Sequence, residues 1–268
     1  MKRVMMMILG VLCFSACVAY AQSFSNSKIT GDSVTLQPVA RQAGAASLTQ
    51  SLDLTTIIPA NSVSCLSYSG HTQNSFMRRF FLDTDHGITS TFTVGSVTFG
   101  VESATSGSGT GQPLTVNLYT ISKADPFTFA NLTLIGTTTN AAFPDMTTTL
   151  YDMAVTGKIE DPLTQDLVVE VFVPDGQAEG NFFFIGSNDS GETHPSYLAA
   201  ADCAVTEPAT VASLGYPEMM VLMIVNGEDV QQPTSVPTMN EWGMIILSVL
   251  VGLASVYYLY RRREDITA

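Results

Sequence analysis

Basic side chains are scarce in this chain. It has 11 Lys and Arg against 24 Asp and Glu, and five of the 11 sit at the ends, as Lys2, Arg3, Arg261, Arg262 and Arg263. Residues 22–241 hold six basic and 22 acidic side chains, a net charge of −16. Nucleic-acid binding depends on Lys and Arg to neutralise phosphates, so nucleic acid is not an expected partner. The same sign disfavours docking of this part on anionic lipid. It favours solubility and mutual repulsion among crowded copies.

Histidine is equally sparse. His71, His86 and His194 are the three, and none belongs to a His-Glu-x-x-His pair, so no catalytic zinc site is expected. The chain has no Gly-x-Ser-x-Gly nucleophile elbow and no phosphate-binding glycine loop. Ser25-Asn26-Ser27-Lys28 matches Ser-x-x-Lys formally, but nothing so near the start of the exported chain would pack around the lysine to lower its pKa.

What is present is most legible at the two ends. Lys2 and Arg3 precede an apolar run from Val4 to Val18, followed by Ala19-Tyr20-Ala21. A charged n-region, an apolar h-region and a small-x-small site, in that order, define a secretory signal for signal peptidase. Residues 1–21 are therefore expected to be removed. Phe14-Ser15-Ala16-Cys17 is an alternative lipobox-like site that would lipidate Cys17, but Phe suits that motif poorly. At the other end, residues 243–260 contain no charge, which as a helix would extend about 27 Å, enough for a hydrocarbon core. Arg261, Arg262 and Arg263 follow as a stop-transfer cluster that the positive-inside rule leaves in the cytoplasm, making 261–268 a basic tail. Trp242 and the tyrosines at 257, 258 and 260 suit the two membrane interfaces.

Val236, Pro237, Thr238 and Met239 stand just before Trp242 and Gly243, within the linker 231–242. With the apolar run and the Arg cluster, this arrangement resembles the IPTL-CTERM sorting signal of Gram-negative surface proteins. Val replaces the family's Ile and Met its Leu. The resemblance spans residues 236–263 and does not touch the body upstream. It implies recognition by an exosortase-like transpeptidase, cleavage near the motif, and transfer of the body to the cell surface or extracellular matrix. A permanent single-pass anchor, with the body left in the periplasm, is the plainer alternative.

Of the four cysteines, Cys13 and Cys17 leave with the signal, so Cys65 and Cys203 remain. Two cysteines in an oxidising compartment are expected to form one disulfide. It would close a loop of about 138 residues, for which loop entropy sets an upper figure of about 5 kcal/mol.

Residues 22–60, rich in Ser, Thr, Gln and Ala, read as a flexible leader with one edge strand near Leu48 to Ile58. From 61 to 230 the chain is a series of short alternating segments. Strands are expected over 76–82, 96–102, around 114–118, 151–155 and 169–173, and over 181–185 and 219–225. Gly- and Ser-rich punctuators such as 106–111 and Pro174-Asp175-Gly176 separate them. No long amphipathic helical period interrupts the series. The expected fold is therefore an all-β antiparallel β-sandwich of jelly-roll topology, with the signal peptide and a single transmembrane helix outside it. Leu167–Val171 and Phe184–Asn188 are similar to β-sandwich modules of secreted bacterial proteins that carry no assigned activity.

Chemistry-bearing constellations are few. Asp83 and Asp85, in Asp83-Thr84-Asp85-His86-Gly87, are candidate Ca²⁺ ligands, since Ca²⁺ collects six to eight oxygens. An ordinary capped turn is the competing reading. Glu170 and Asp175 form a formal glycosidase pair whose separation the sequence does not supply. Residues 188–197, with His194 and Tyr197, form a polar loop with an aromatic tip that could hold a sugar, the plainer reading being a long solvated connection. The leading expectation is a non-catalytic, surface-displayed protein with an adhesion or interaction role and no cofactor. A carbohydrate-binding module, supported by Ca²⁺ or not, is the second, and a secreted hydrolase the third.

Overall fold

The computed structural model describes residues 22–27, 34–35, 46–229 and 239–264. The signal peptide 1–21, with Cys13 and Cys17, lies outside the described residues, as do Val236, Pro237 and Thr238. The chain divides into two compact units, residues 1–229 and 230–268.

The first unit is built of strands. In chain order they are β1 (Ser23–Asn26), β2 (Val34–Thr35), β3 (Ala46–Thr49), β4 (Thr56–Ile57), β5 (Val63–Ser67), β6 (Gly70–His71) and β7 (Asn74–Phe80). After the short helix α1 (Leu82–His86) come β8 (Phe92–Thr105), β9 (Gln112–Ser122), β10 (Thr133–Phe143), β11 (Met146–Ile159) and β12 (Gln165–Val173). The last are β13 (Phe182–Ile185), β14 (Ser187–Asn188), β15 (Tyr197–Ala200), β16 (Val205–Thr210), β17 (Met220–Val221) and β18 (Met223–Asp229).

Two sheets dominate. One has six strands in the order β10-β9-β12-β7-β15-β16, and the other runs β11-β8-β18-β3, with β13 also paired to β8. Every pairing within them is antiparallel. Their inner faces meet in one core. Phe76, Leu114, Val116, Leu118, Leu167, Val169 and Val171 come from the first sheet, and Val97, Phe99, Val101, Met153, Val155 and Val225 from the second. Burying each such side chain fully is worth about 1.5–3 kcal/mol. Period-two alternation places them there: in β9, Leu114, Val116 and Leu118 are fully buried while Thr115, Asn117 and Tyr119 between them are only partly so. The outer face of the six-stranded sheet carries a smaller cluster, in which Met77, Ile121 and Val168 are packed by Phe127, Leu132, Tyr119 and Tyr197.

Some of this departs from expectation. In the segment read as a flexible leader, 22–60, of which 28–33 and 36–45 lie outside the described residues, β3 lies beside β18 as the expected edge strand, with Leu48 in the core, and β1 against β5 is an addition. Its small polar residues concealed a few buried anchors. β10 was not expected, because Thr and Asn fill it and most of it is exposed; its position at the sheet edge tolerates that composition. The Asp83–Gly87 segment forms the single turn α1, ended by Gly87 at φ 67°, where its N–H returns to Asp83 O.

The second unit contains α2 (Met239–Glu264), which includes Met239, Trp242, Gly243 and Arg261 to Arg263 within its range. Its described side chains run from 245 to 257, and nine apolar ones among them are 54–68% exposed. Among the described residues no helix is long and apolar enough to cross a membrane.

Candidate functional site

The two arginines that follow each other on β7 point to opposite faces. Arg78 turns inward and is fully buried. Its Nε donates to the Val221 carbonyl at 3.2 Å, Nη1 to the His194 carbonyl at 2.8 Å, and Nη2 to Ser51 Oγ at 3.2 Å. Glu192 pairs with Nη1 at 2.9 Å. Burial pushes this guanidinium down to about 10 against the opposing pull of Glu192, so it stays charged at neutral pH. Arg79 turns outward and grips Asp166 through Nε at 2.9 Å and Nη2 at 2.8 Å, with its guanidinium over the Phe81 ring. Asp166 is fully buried, and burial raises its carboxyl despite the hydrogen bond from Arg79.

This network absorbs most of the residues singled out from the sequence. Asp83 is ion-paired with Lys123, and that hydrogen bond holds its carboxyl low. Asp85 faces His194 Nε2 at 2.7 Å, and His194 stacks on Phe81 with 4.4 Å between ring centres. The two candidate Ca²⁺ carboxylates thus face different partners, Lys123 and His194. Among the described residues, no group of three or more His, Cys, Asp and Glu side chains could hold a metal ion. In the polar loop 188–197, Asn188 and Glu192 are engaged by the protein itself, while Asp189, Ser190 and Thr193 stay exposed. Asn188 Nδ2 donates to the Asp53 and Thr56 carbonyls at 3.0 and 3.1 Å, and Glu192 accepts from Ser196 N at 3.0 Å and Ser196 Oγ at 2.7 Å. His71 is buried between the Thr72 carbonyl at 2.8 Å and Gln112 Oε1 at 3.0 Å, a structural histidine.

The formal carboxylate pair is not brought together. Glu170, on the outer face of β12, is 3% exposed and accepts from Asn117 Nδ2 and Tyr119 Oη, both at 2.8 Å. Burial pushes the Tyr119 hydroxyl up, and the Glu170 carboxylate adds to the shift. Asp175 instead caps its own exposed turn, accepting from Gln177 N at 2.9 Å.

Cys65 on β5 is bonded to Cys203, tying the start of the body to the turn before β16. Beside it, the fully buried Glu102 accepts from Ala60 N at 2.8 Å and Ser62 N at 2.9 Å. Ser27 also donates to it, which fastens the end of β1. Next to β1 lies a feature the sequence did not signal. A cleft of about 680 Å³ opens between β1, β5, the C-terminal end of β8 and β13. Its walls come from four strands distant in sequence, so no local motif marks it.

The β-body and the apolar helix together define a class, an all-β domain with a separate C-terminal segment. The tail gives that class its direction: the IPTL-CTERM motif matches residues 234–263, the range that contains Val236 to Gly243 and the Arg cluster. This motif marks an exported, surface-sorted protein and is the kind of signal an exosortase-type processing enzyme recognises. Comparison with curated proteins finds no match. Among solved structures, the chain is similar to the cysteine protease and lectin-like domains of Cwp84, a surface layer associated protein of Clostridium difficile. That likeness has a TM-score of 0.41 and 9% identity, over 71% of this chain and 37% of that one. At that level it carries no argument about this body.

Proposed function

We propose that the chain is a non-catalytic surface protein whose β-body is displayed for adhesion or interaction, and whose ends direct its route. Signal peptidase would release residues 1–21 and leave a mature chain beginning near Gln22. Residues 243–260 would then hold the body in the periplasm as an inner-membrane intermediate, with Arg261 to Arg263 on the cytoplasmic side. An exosortase-like transpeptidase would cut near the Pro237-Thr238 motif and pass the body to the surface or matrix.

The observation that carries this reading is the tail. A helix whose apolar side chains stand exposed on every face is not stable in water, and a bilayer before processing is the environment that suits it. The strand order supports a jelly-roll reading of the body. β3, β18, β8 and β11 make one four-stranded layer and β7, β12, β9 and β10 the other, with β15 and β16 added beside β7. Its buried carboxylates support a structural role over a catalytic one, since Glu102, Asp166 and Glu170 each accept hydrogen bonds from the protein itself.

Mass spectrometry of the mature protein from fractionated cells tests the route. A surface species ending near Thr238, without the helix, is expected. Peptides containing Arg261 to Arg263 on the surface species would replace sorting with a permanent anchor.

A further inference from the structure

We propose that the cleft between β1, β5, β8 and β13 is a binding site for an uncharged oligosaccharide. Three features of its wall point to that ligand.

The first is the register of β8 and β13. Ser103 lies opposite Phe184, and Thr105 opposite Phe182, so a hydroxyl and a phenyl ring sit side by side twice along one face. The pairs are two residues apart, about 7 Å along the strand. A sugar ring presents an apolar C–H face bordered by hydroxyls; the partly exposed Phe182 beside Thr105 offers the match, while Phe184 is only 6% exposed. Tyr68, across the cleft, is 91% exposed and offers a third ring. Aromatic side chains that stay wet on one side are characteristic of binding surfaces.

The second is Ser103 itself. It is only 8% exposed, yet its hydroxyl makes no hydrogen bond to the described residues. Its oxygen is not sealed from solvent, so a ligand that displaces solvent there must offer a hydrogen bond in return. A ligand hydroxyl entering the cleft would satisfy it. A purely apolar ligand would bury it without a partner.

The third is charge. None of the eleven lining residues is ionisable to a charged form at neutral pH, in an exported part that otherwise carries a net −16. Glu102, next to Ser103 in sequence, is occupied by the Ala60 and Ser62 N–H groups. Among the described residues that line it, an anionic or cationic ligand would find no counter-charge. The cleft volume, about 680 Å³, falls within the range of about 300–1,000 Å³ usual for small-ligand sites.

This assigns a ligand class to the interaction role proposed above, and rests on that reading only for the body's exposure to glycans. The purified full chain would be screened on an array of uncharged gluco-, manno-, xylo- and N-acetylglucosamine oligosaccharides, with sialylated and uronic-acid glycans and an unstructured peptide library as controls. Binding to at least one uncharged series is expected. Tyr68→Ala should weaken it by about tenfold or more with Tm unchanged, because so exposed a ring contributes little to folding. Ser103→Ala should also weaken it. The proposal is overturned if no uncharged glycan binds, if anionic glycans or peptides bind in preference, or if both variants retain full affinity. Binding by purified protein leaves the sorting route untested, and a failure of sorting in cells leaves the binding result standing, so the two readings fail separately.

Discussion

Gly100 in β8 and Gly186 just after β13 meet backbone to backbone. The Gly186 N–H donates to the Gly100 carbonyl at 2.7 Å, and the Gly100 N–H donates to the Leu222 carbonyl at 2.9 Å. Here β8 exchanges one neighbour for another: β18 pairs with its residues 92–99, and β13 with 101–105. A Cβ on Gly186 would lie 2.6 Å from the Gly100 backbone, and the obstacle is main chain that cannot rotate away. Gly186→Ala is therefore expected to destabilise the body by about 1–3 kcal/mol. Urea unfolding checks this, and a midpoint equal to that of the parent would show that the junction can relax.

Arg78 joins three separate segments, Ser51, His194 and Val221, through one buried side chain. Arg78→Met would keep most of the volume but take the donor from the His194 carbonyl and the cationic partner from Glu192, leaving Val221 and Glu192 only their bonds from Ser51 and Ser196. Breaking a buried pair in this way costs about 3–5 kcal/mol. Glu192→Gln should cost much less, since Glu192 is 20% exposed and water can replace part of the loss. Equal losses in the two variants, read by thermal melting, would contradict this account.

His86 predicts a pH dependence. Burial lowers its imidazole below the ordinary value, His194 adds to the shift, and the Asp85 carboxylate opposes it. The unfolded chain then takes up the proton more readily than the native one. Stability from this group is complete above about pH 6.5 and declines as pH falls through that value toward the lower native one. Tm should drop between about pH 7.5 and pH 5, and His86→Phe should show a smaller drop. An identical pH profile in the variant would remove His86 as the cause.

The Cys65–Cys203 bond spans 138 residues. Replacing both cysteines by serine should lower stability by about 2–5 kcal/mol. Reduction of the parent protein with dithiothreitol should reproduce the shift. No change in either experiment would show that the surrounding strands hold the chain without it.

The legible parts of the fold were those in which burial is periodic. Leu114, Val116 and Leu118 alternate with polar neighbours, and Val169, Val171 and Val173 repeat the pattern, so β9 and β12 were evident. β10 was not, because an exposed edge strand of Thr and Asn needs no apolar face. The disulfide was inferred from a count, since removal of the expected signal peptide would leave only Cys65 and Cys203. The surroundings of the candidate calcium and sugar residues were not legible for one reason. Asp83, Asp85, Glu192 and His194 look available in sequence, but Lys123, Arg78 and each other's segments claim them in space.

By itself the sequence determined the route-directing tail and the strand content, since a sorting motif, an apolar run and an alternating strand are linear signals carried by neighbouring residues. Tertiary structure alone decided which polar groups are engaged and which stay open. Arg78 and Glu102 are engaged, and Asp166 through its Oδ2, by partners 27 to 143 residues away, whereas Ser103 faces a cleft assembled from four strands. Hydrogen bonding and desolvation depend on distance in space, and that distance is set only when the sheets have paired and packed.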